Sequence, residues 1–148
     1  MSESEHAEFV RATIEAFNRA DLEWLLGRID DDFEFDWSRS RGPLAGVYRG
    51  PAGLTEFVRE QWETFETFHM EALEYIDRGR HVVVPNKVSA QGRNGIEVSA
   101  EANQVFTLEP DGRVSRVAMY QELEEALAAA GAQRVSPIVT SRSRRTSE

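Results

Sequence analysis

Asp36 closes the run DDFEFD at residues 31–36, a carboxylate between the aromatics Phe35 and Trp37. An acid with apolar neighbours suits a general base, which removes a proton beside a carbonyl when reach and pKa allow. It suits equally well the wet face of a half-buried strand. Two amides join it as candidates. In 96–108 the alternate positions Val98, Ala100, Ala102, Gln104, Phe106 and Leu108 are apolar except for Gln104, and in 82–90 the set Val82, Val84, Asn86, Val88 and Ala90 is apolar except for Asn86. Alternation sends both amides inward, where an unpaired polar group costs about 1–3 kcal/mol. Either they bond each other or an ordered water and fix the sheet register, or they meet a ligand and stabilise charge developing on it. Trp37, Trp62, Phe106 and Tyr120 could wall a ring-accepting pocket, with plain core packing as the competing reading.

The elements that must position these residues follow from periodicity. Ala7, Val10, Thr13, Ile14 and Phe17 fall at helical spacing over 5–20, and Asp21 reads as the N-cap of a short helix carrying Leu22, Leu25, Leu26 and Ile29. DDFEFDWS alternates Phe33, Phe35 and Trp37 against Glu34, Asp36 and Ser38, the period of a strand. The Gly- and Pro-rich stretch RGPLAGVYRGPAG reads as a loop. Pro51 then starts a third helix with Leu54, Phe57, Val58, Gln61, Trp62 and Phe65 on one stripe. Strands are expected at 68–77, 81–91, 96–109 and 113–121, joined by DRGR, GRNG and EPDG as tight turns of an antiparallel meander. ELEEALAAAG is a last helix with Gly131 as its stop. Pro85 fits an edge or a bulge.

At 148 residues the chain suits one domain, here 1–134, followed by a basic Ser/Arg tail at 135–148. Helices followed by a run of strands predict an α+β fold, a curved antiparallel sheet packed on helices. The tail SPIVTSRSRRTSE holds Arg142, Arg144, Arg145 and one Glu, a net of +2, which leaves −11 on residues 1–135 of a chain whose net charge is −9. Such a body repels nucleic-acid phosphates, so no nucleic-acid partner is expected. With no cysteine, thiolate chemistry and disulfides are excluded. No signal-peptide pattern or membrane-length apolar run is visible, so a cytoplasmic, non-membrane protein is expected. His6, His69 and His81 read as peripheral, in a first helical turn, at a strand start and beside a turn, and without H-x-H or H-E-x-x-H spacing no metal is expected.

The stretches NRADLEWLL (18–26), DDFEFDWSRSRGPLAGVYRGPAGLTEFV (31–58), GIEVSAE (95–101), EPDGRVSRVAMY (109–120) and EEALAAAG (124–131), in this order, resemble the SnoaL-like branch of the NTF2-like superfamily. The resemblance implies a cystatin-like cone, a bent sheet wrapped around helices with a cavity at its open end. The superfamily includes a steroid isomerase, polyketide cyclases, a dehydratase, an epoxide hydrolase and binding proteins. The steroid isomerase pairs an Asp base with a Tyr and a protonated Asp; the resemblance puts the base at Asp36, but Thr13 at the tyrosine position and Gln104 at or near that of the acid. The hydrolase needs an Arg between two acids, of which Arg116 and Asp36 supply two, with no third evident. The implied function is binding of an apolar, cyclic small molecule in the cone, with acid–base chemistry of isomerase, cyclase or dehydratase type through Asp36 as the candidate step and no cofactor. The alternative is a non-catalytic ligand-binding or dimerisation module. Either reading expects a homodimer, since the outer sheet face otherwise stays bare; Val83, Val105, Val117 and Met119 are the residues expected there.

Overall fold

The helical spacing of the N-terminal segment produces α1 (Glu3–Asn18), which buries Val10, Ile14 and Phe17, in a computed structural model that describes residues 3–134. The basic tail lies outside the described residues. Ala20 ends α1 in the left-handed region at φ 54°, its N–H donating to the Phe17 carbonyl at 3.1 Å while Asp21 N–H donates to Ala16 at 2.8 Å. These are the two bonds of a Schellman stop, a place usually taken by glycine. Asn18 grips β3 (Phe65–Ala72), donating to the Met70 carbonyl at 2.9 Å and accepting from Met70 N–H at 2.7 Å. Asp21 caps α2 (Leu22–Leu26) by accepting the Trp24 N–H at 3.1 Å. The motif from Asn18 to Leu22 thus does structural work at each polar position.

Ile29, expected on the α2 stripe, instead opens β1 (Ile29–Asp36). The segment expected to be all loop contains β2 (Val47–Arg49), paired antiparallel to β1. After α3 (Gly50–Thr64) the chain forms β3, β4 (Ile76–Arg78), β5 (His81–Gly92), β6 (Glu97–Leu108) and β7 (Val114–Tyr120). The strand expected at 68–77 is two pieces, β3 and β4, both paired with β5. Pro85 sits between those two pairings, where its carbonyl accepts Leu73 N–H at 2.8 Å and its missing N–H falls in the gap. The sheet order is β2-β1-β7-β6-β5-β3, antiparallel except for β1 beside β7. Gly112 in the EPDG turn adopts φ 88°, as that turn demands.

The concave face carries Phe33, Phe35, Trp37, Val82, Val84, Phe106, Val117 and Met119 against α1 and α3. On the convex face, Val83, Val105, Ala118 and Tyr120 pack beneath Ala126 and Ala130 of α4 (Leu123–Arg134). Val83 and Val105 therefore face outward as expected, whereas Val117 and Met119 face inward. The expected bare outer face is partly covered by α4, which continues through Gly131 to pack along the sheet. Trp62 is 58% exposed, because Gln61 holds the inward position on α3 by donating to the Phe17 carbonyl at 2.9 Å. Phe65 belongs to β3 rather than to the helix. Among the described residues no helix is long and apolar enough to cross a membrane.

Two substitutions test this backbone. Ala20→Gly should raise stability by about 1 kcal/mol, the left-handed penalty less the extra entropy glycine loses, read as a higher urea midpoint at unchanged slope; an unchanged or lower midpoint refutes the strain. Gly53→Ala should lower stability by about 1–3 kcal/mol, since its Cβ would stand 2.7 Å from the Tyr48 carbonyl carbon and 3.1 Å from its Cα, both backbone atoms. A neutral result in the same titration would mean that β2 yields freely.

Candidate functional site

Small side chains at the open end of the sheet leave a cavity of about 370 Å³. Where the deeper concave face carries Phe106 and Leu108, the outer turns of β5 and β6 carry Ala90, Ala100 and Ala102, and the space they leave is bounded by Trp37, Phe65, Phe68, Val88, Val98 and Met119. Ser40, Arg41, Gly42, Pro43 and Leu44 form one side as a roof, and Glu101 and Gln121 complete the lining. The walls are apolar, and the polar groups stand at the rim. This is the usual composition of a small-molecule site.

The roof is tied down at both ends. Trp37 N–H donates to the Gly46 carbonyl at 2.8 Å, closing the base of the loop, and the Trp37 ring stacks on Phe35 at 5.2 Å and 9°. The Tyr48 hydroxyl donates to the Leu44 carbonyl at 2.8 Å; burial, then the nearby Glu60 carboxylate, pushes its pKa up to about 12, so it stays a donor throughout the neutral range. On the other side Gln121 donates to the Arg39 carbonyl at 2.6 Å, and the Arg39 guanidinium lies 4.4 Å over the Tyr120 ring.

Asp36 belongs to this fastening. It is 7% exposed but lies on the face of β1 opposite Phe33, Phe35 and Trp37, and it does not line the cavity. One carboxylate oxygen accepts from Ser38 N–H at 3.1 Å and from the Ser38 hydroxyl at 2.6 Å, while the other takes Arg39 at 3.2 Å and Arg116 at 3.0 Å. Burial pushes this carboxyl up, but the Ser38 bonds and the Arg39 charge outweigh it and hold the pKa below the ordinary value. A carboxylate placed in this way holds a proton less readily than a free one and faces away from the apolar space. Arg116 also bonds Glu34 at 3.3 Å, so the third acid missing from the sequence reading is Glu34, and the acid–Arg–acid trio stands on the outer face.

The other candidates separate. Trp37 lines the cavity. Asn86 and Gln104 are inward and 1% exposed, and they bond each other at 3.2 Å below the cavity floor; Gln104 also reaches the Met70 sulfur at 3.4 Å, and Asn86 Oδ1 has no partner. Phe106 is enclosed in the core, Trp62 borders a separate crevice beside α1, and Tyr120 is on the convex face beneath Arg39. Phe65, Phe68, Val88, Met119 and Tyr48 were missed as site residues. The inward alanines were a readable signal, since a face that shrinks to Ala at one end must leave space. His81, expected at the periphery, is buried and bonded to Thr107 at 3.0 Å, and His6 contacts Asp77 at 2.7 Å; neither lines the cavity. Among the described residues no group of three metal-ligating side chains forms.

The anchoring role predicts a pH signature. A carboxyl with a lowered folded pKa contributes stability above its unfolded value near 3.9, and loses it as pH falls through the folded value. Asp36→Asn should therefore melt lower than the parent at pH 7, with the gap closing under acid. A gap that is constant between pH 7 and 2.5 would show that the carboxylate charge holds nothing.

No curated protein is significantly similar to the chain. Solved structures share its fold. The NTF2-like protein of unknown function from Burkholderia pseudomallei K96243 has TM-score 0.69 and 23% identity, covering 88% of this chain and 98% of that one. TerC, co-crystallised with polyporic acid, has TM-score 0.67 and 20% identity over 84% and 97%. SalBIII, an epoxide hydrolase/cyclase-like enzyme in pyran ring formation in the polyether salinomycin, has TM-score 0.68 and 17% identity over 83% and 95%. The SnoaL-like domain family matches residues 10–117, across the helices, the roof loop and the sheet that form this cone, and the chain belongs to that family.

Proposed function

We propose that the protein binds an apolar, cyclic small molecule in the cone cavity, beneath the roof that Asp36, Arg39 and Tyr48 hold in place. The observation that carries this reading is the unfilled space of about 370 Å³ between Trp37, Phe65, Phe68 and Met119. A core plugged by its own side chains, as a pure dimerisation module would have, leaves no such space. The family match supports a ligand-binding or catalytic role at family level, and the TerC complex is a fold neighbour that holds a small molecule. Trp37 offers a ring face, and the rim groups Arg41, Glu101 and Gln121 leave the polar edge of a ligand in contact with water.

Acid–base chemistry through Asp36 draws no support from this arrangement. Its carboxylate would have to leave four hydrogen bonds and cross the sheet to reach a ligand. Asp36 enters the reading as an anchor of the roof, and binding is the function the geometry favours over proton abstraction.

Titration calorimetry with 2-naphthol tests the site. The parent protein should bind saturably, and Ala100→Phe, at an exposed position on the cavity wall, should weaken binding at least about tenfold, or roughly 1.4 kcal/mol, with little change in melting temperature. Absence of saturable binding, or affinity indifferent to Ala100→Phe, would overturn the proposal.

A further inference from the structure

A groove of about 460 Å³ lies between the roof at Pro43, the end of α3 at Thr64 and the hairpin that joins β5 to β6. Pro43, Phe65 and Val98 line both this groove and the cone cavity, so the two spaces adjoin. Most of the surface it presents is apolar. Ile96 forms part of its wall and, at 60%, is the most exposed large apolar side chain among the described residues. A lone apolar side chain at a surface needs no explanation. Ile96 is not alone, because it continues a strip that passes through Val98 and Phe65 into the cone. The walls are held before anything binds. Gly92 N–H donates to the Ile96 carbonyl at 2.6 Å and Ile96 N–H donates to Asn94 Oδ1 at 3.2 Å, which closes the hairpin. Arg93 ties that hairpin to α3, donating to the Trp62 carbonyl from Nε at 3.1 Å and from Nη2 at 2.6 Å. The groove is open along one side, so the remaining N–H groups of Arg93 and Asn94 keep their water while an apolar chain covers Ile96, Val98 and Phe65. A groove framed in advance costs its occupant little ordering.

We propose that the cone and the groove take one molecule, a ring compound bearing an alkyl chain. The ring rests on Trp37, and the chain leaves past Phe65, between Pro43 and Val98, to lie along Ile96. This rests on the reading that the cone binds a ring, and it adds the class of ring compound. A ligand without a chain would leave the Ile96 strip wet, and a chain without a ring would leave the cone empty.

The test is titration calorimetry of the full-length protein with 4-ethyl-, 4-butyl- and 4-hexylphenol, with 2-naphthol as the chainless reference. Affinity should rise about two- to threefold per methylene, below the roughly fourfold of a fully buried one. Hexylphenol should therefore bind at least about tenfold more tightly than ethylphenol, with a single molecule per protein. Ile96→Ser, at an exposed position outside the cone wall, should remove most of that rise and leave 2-naphthol affinity unchanged. Ala100→Phe should weaken hexylphenol as well as 2-naphthol, since ring and chain belong to one molecule. In proton–nitrogen NMR, hexylphenol should shift both the Trp37 indole and the Ile96 amide, and ethylphenol the Trp37 indole alone. Where 2-naphthol binds, a series flat in chain length, or a rise that survives Ile96→Ser, overturns this proposal and leaves the cone reading standing. Hexylphenol affinity indifferent to Ala100→Phe overturns it as well, because the chain would then bind with no ring in the cone. Absence of binding by 2-naphthol and all three phenols overturns both.

Discussion

Phe35 decides which way β1 faces, and the rest of the site follows from that. Its fully buried ring lies 4.5 Å from Phe57 on α3, 5.2 Å from Trp37 and 5.3 Å from Phe17 on α1, centroid to centroid, and pairs through the backbone with Tyr48 on β2. Each aromatic pair contributes about 0.5–1.5 kcal/mol beyond its area. Emptying such a position costs about 3–5 kcal/mol, a large share of the 5–15 kcal/mol of a typical domain. Side chains on a strand alternate strictly, and a slip of one residue would move this whole set to the other side. With Phe35 inside, Asp36 must be outside.

That division gives the two sheet faces different tasks. The concave face is apolar apart from the Asn86–Gln104 pair and ends in alanines, so it closes as a core at one end and opens as a cavity at the other. The convex face holds the charges: Glu34, Asp36, Arg39 and Arg116 meet on the outer side of β1 and β7. A buried carboxylate is tolerated only when its lone pairs are met, and Asp36 meets that condition with groups from the adjoining loop and from β7. Its pairing with the loop is also what keeps Ser38 and Arg39, and hence the roof, in register with β1. A side chain on one face thus controls the cover of the other.

The parts of this arrangement that were legible in the sequence are those where one face is apolar and the other polar. β1 reads directly, since Phe, Phe and Trp alternate with Glu, Asp and Ser, and the paired faces of β5 and β6 place Asn86 and Gln104 inward by the same logic. β7 does not read this way. Val117, Ala118, Met119 and Tyr120 are all buried, because α4 covers the side that would otherwise be wet, so alternation carries no phase. The phase comes from parallel pairing with β1, which sets Phe35 beside Val117 and Asp36 beside Ala118, a contact between segments some eighty residues apart. Trp62 misleads for a related reason: a Gln that satisfies a helix-end carbonyl takes the buried place that hydrophobicity alone assigns to Trp. β2, three residues long, is too short for its period to show.

The same logic bears on chemistry. The resemblance places Thr13 and Gln104 where the steroid isomerase has its Tyr and its protonated acid, and in this chain both are occupied internally: the Thr13 hydroxyl donates to the Phe9 carbonyl one turn back at 2.9 Å, and Gln104 is bound to Asn86 and Met70. Neither is left free to stabilise an oxyanion. A carboxylate inside the apolar cone would lose its hydration and would need such donors to stay ionised. This fold places the Asp36 carboxylate where two arginines and a hydroxyl meet it, on the outer face. The apolar space is left without an ionised group, bounded by the Ala-lined end of the sheet and the Trp37 ring, and this is why the proposed role is binding rather than proton abstraction.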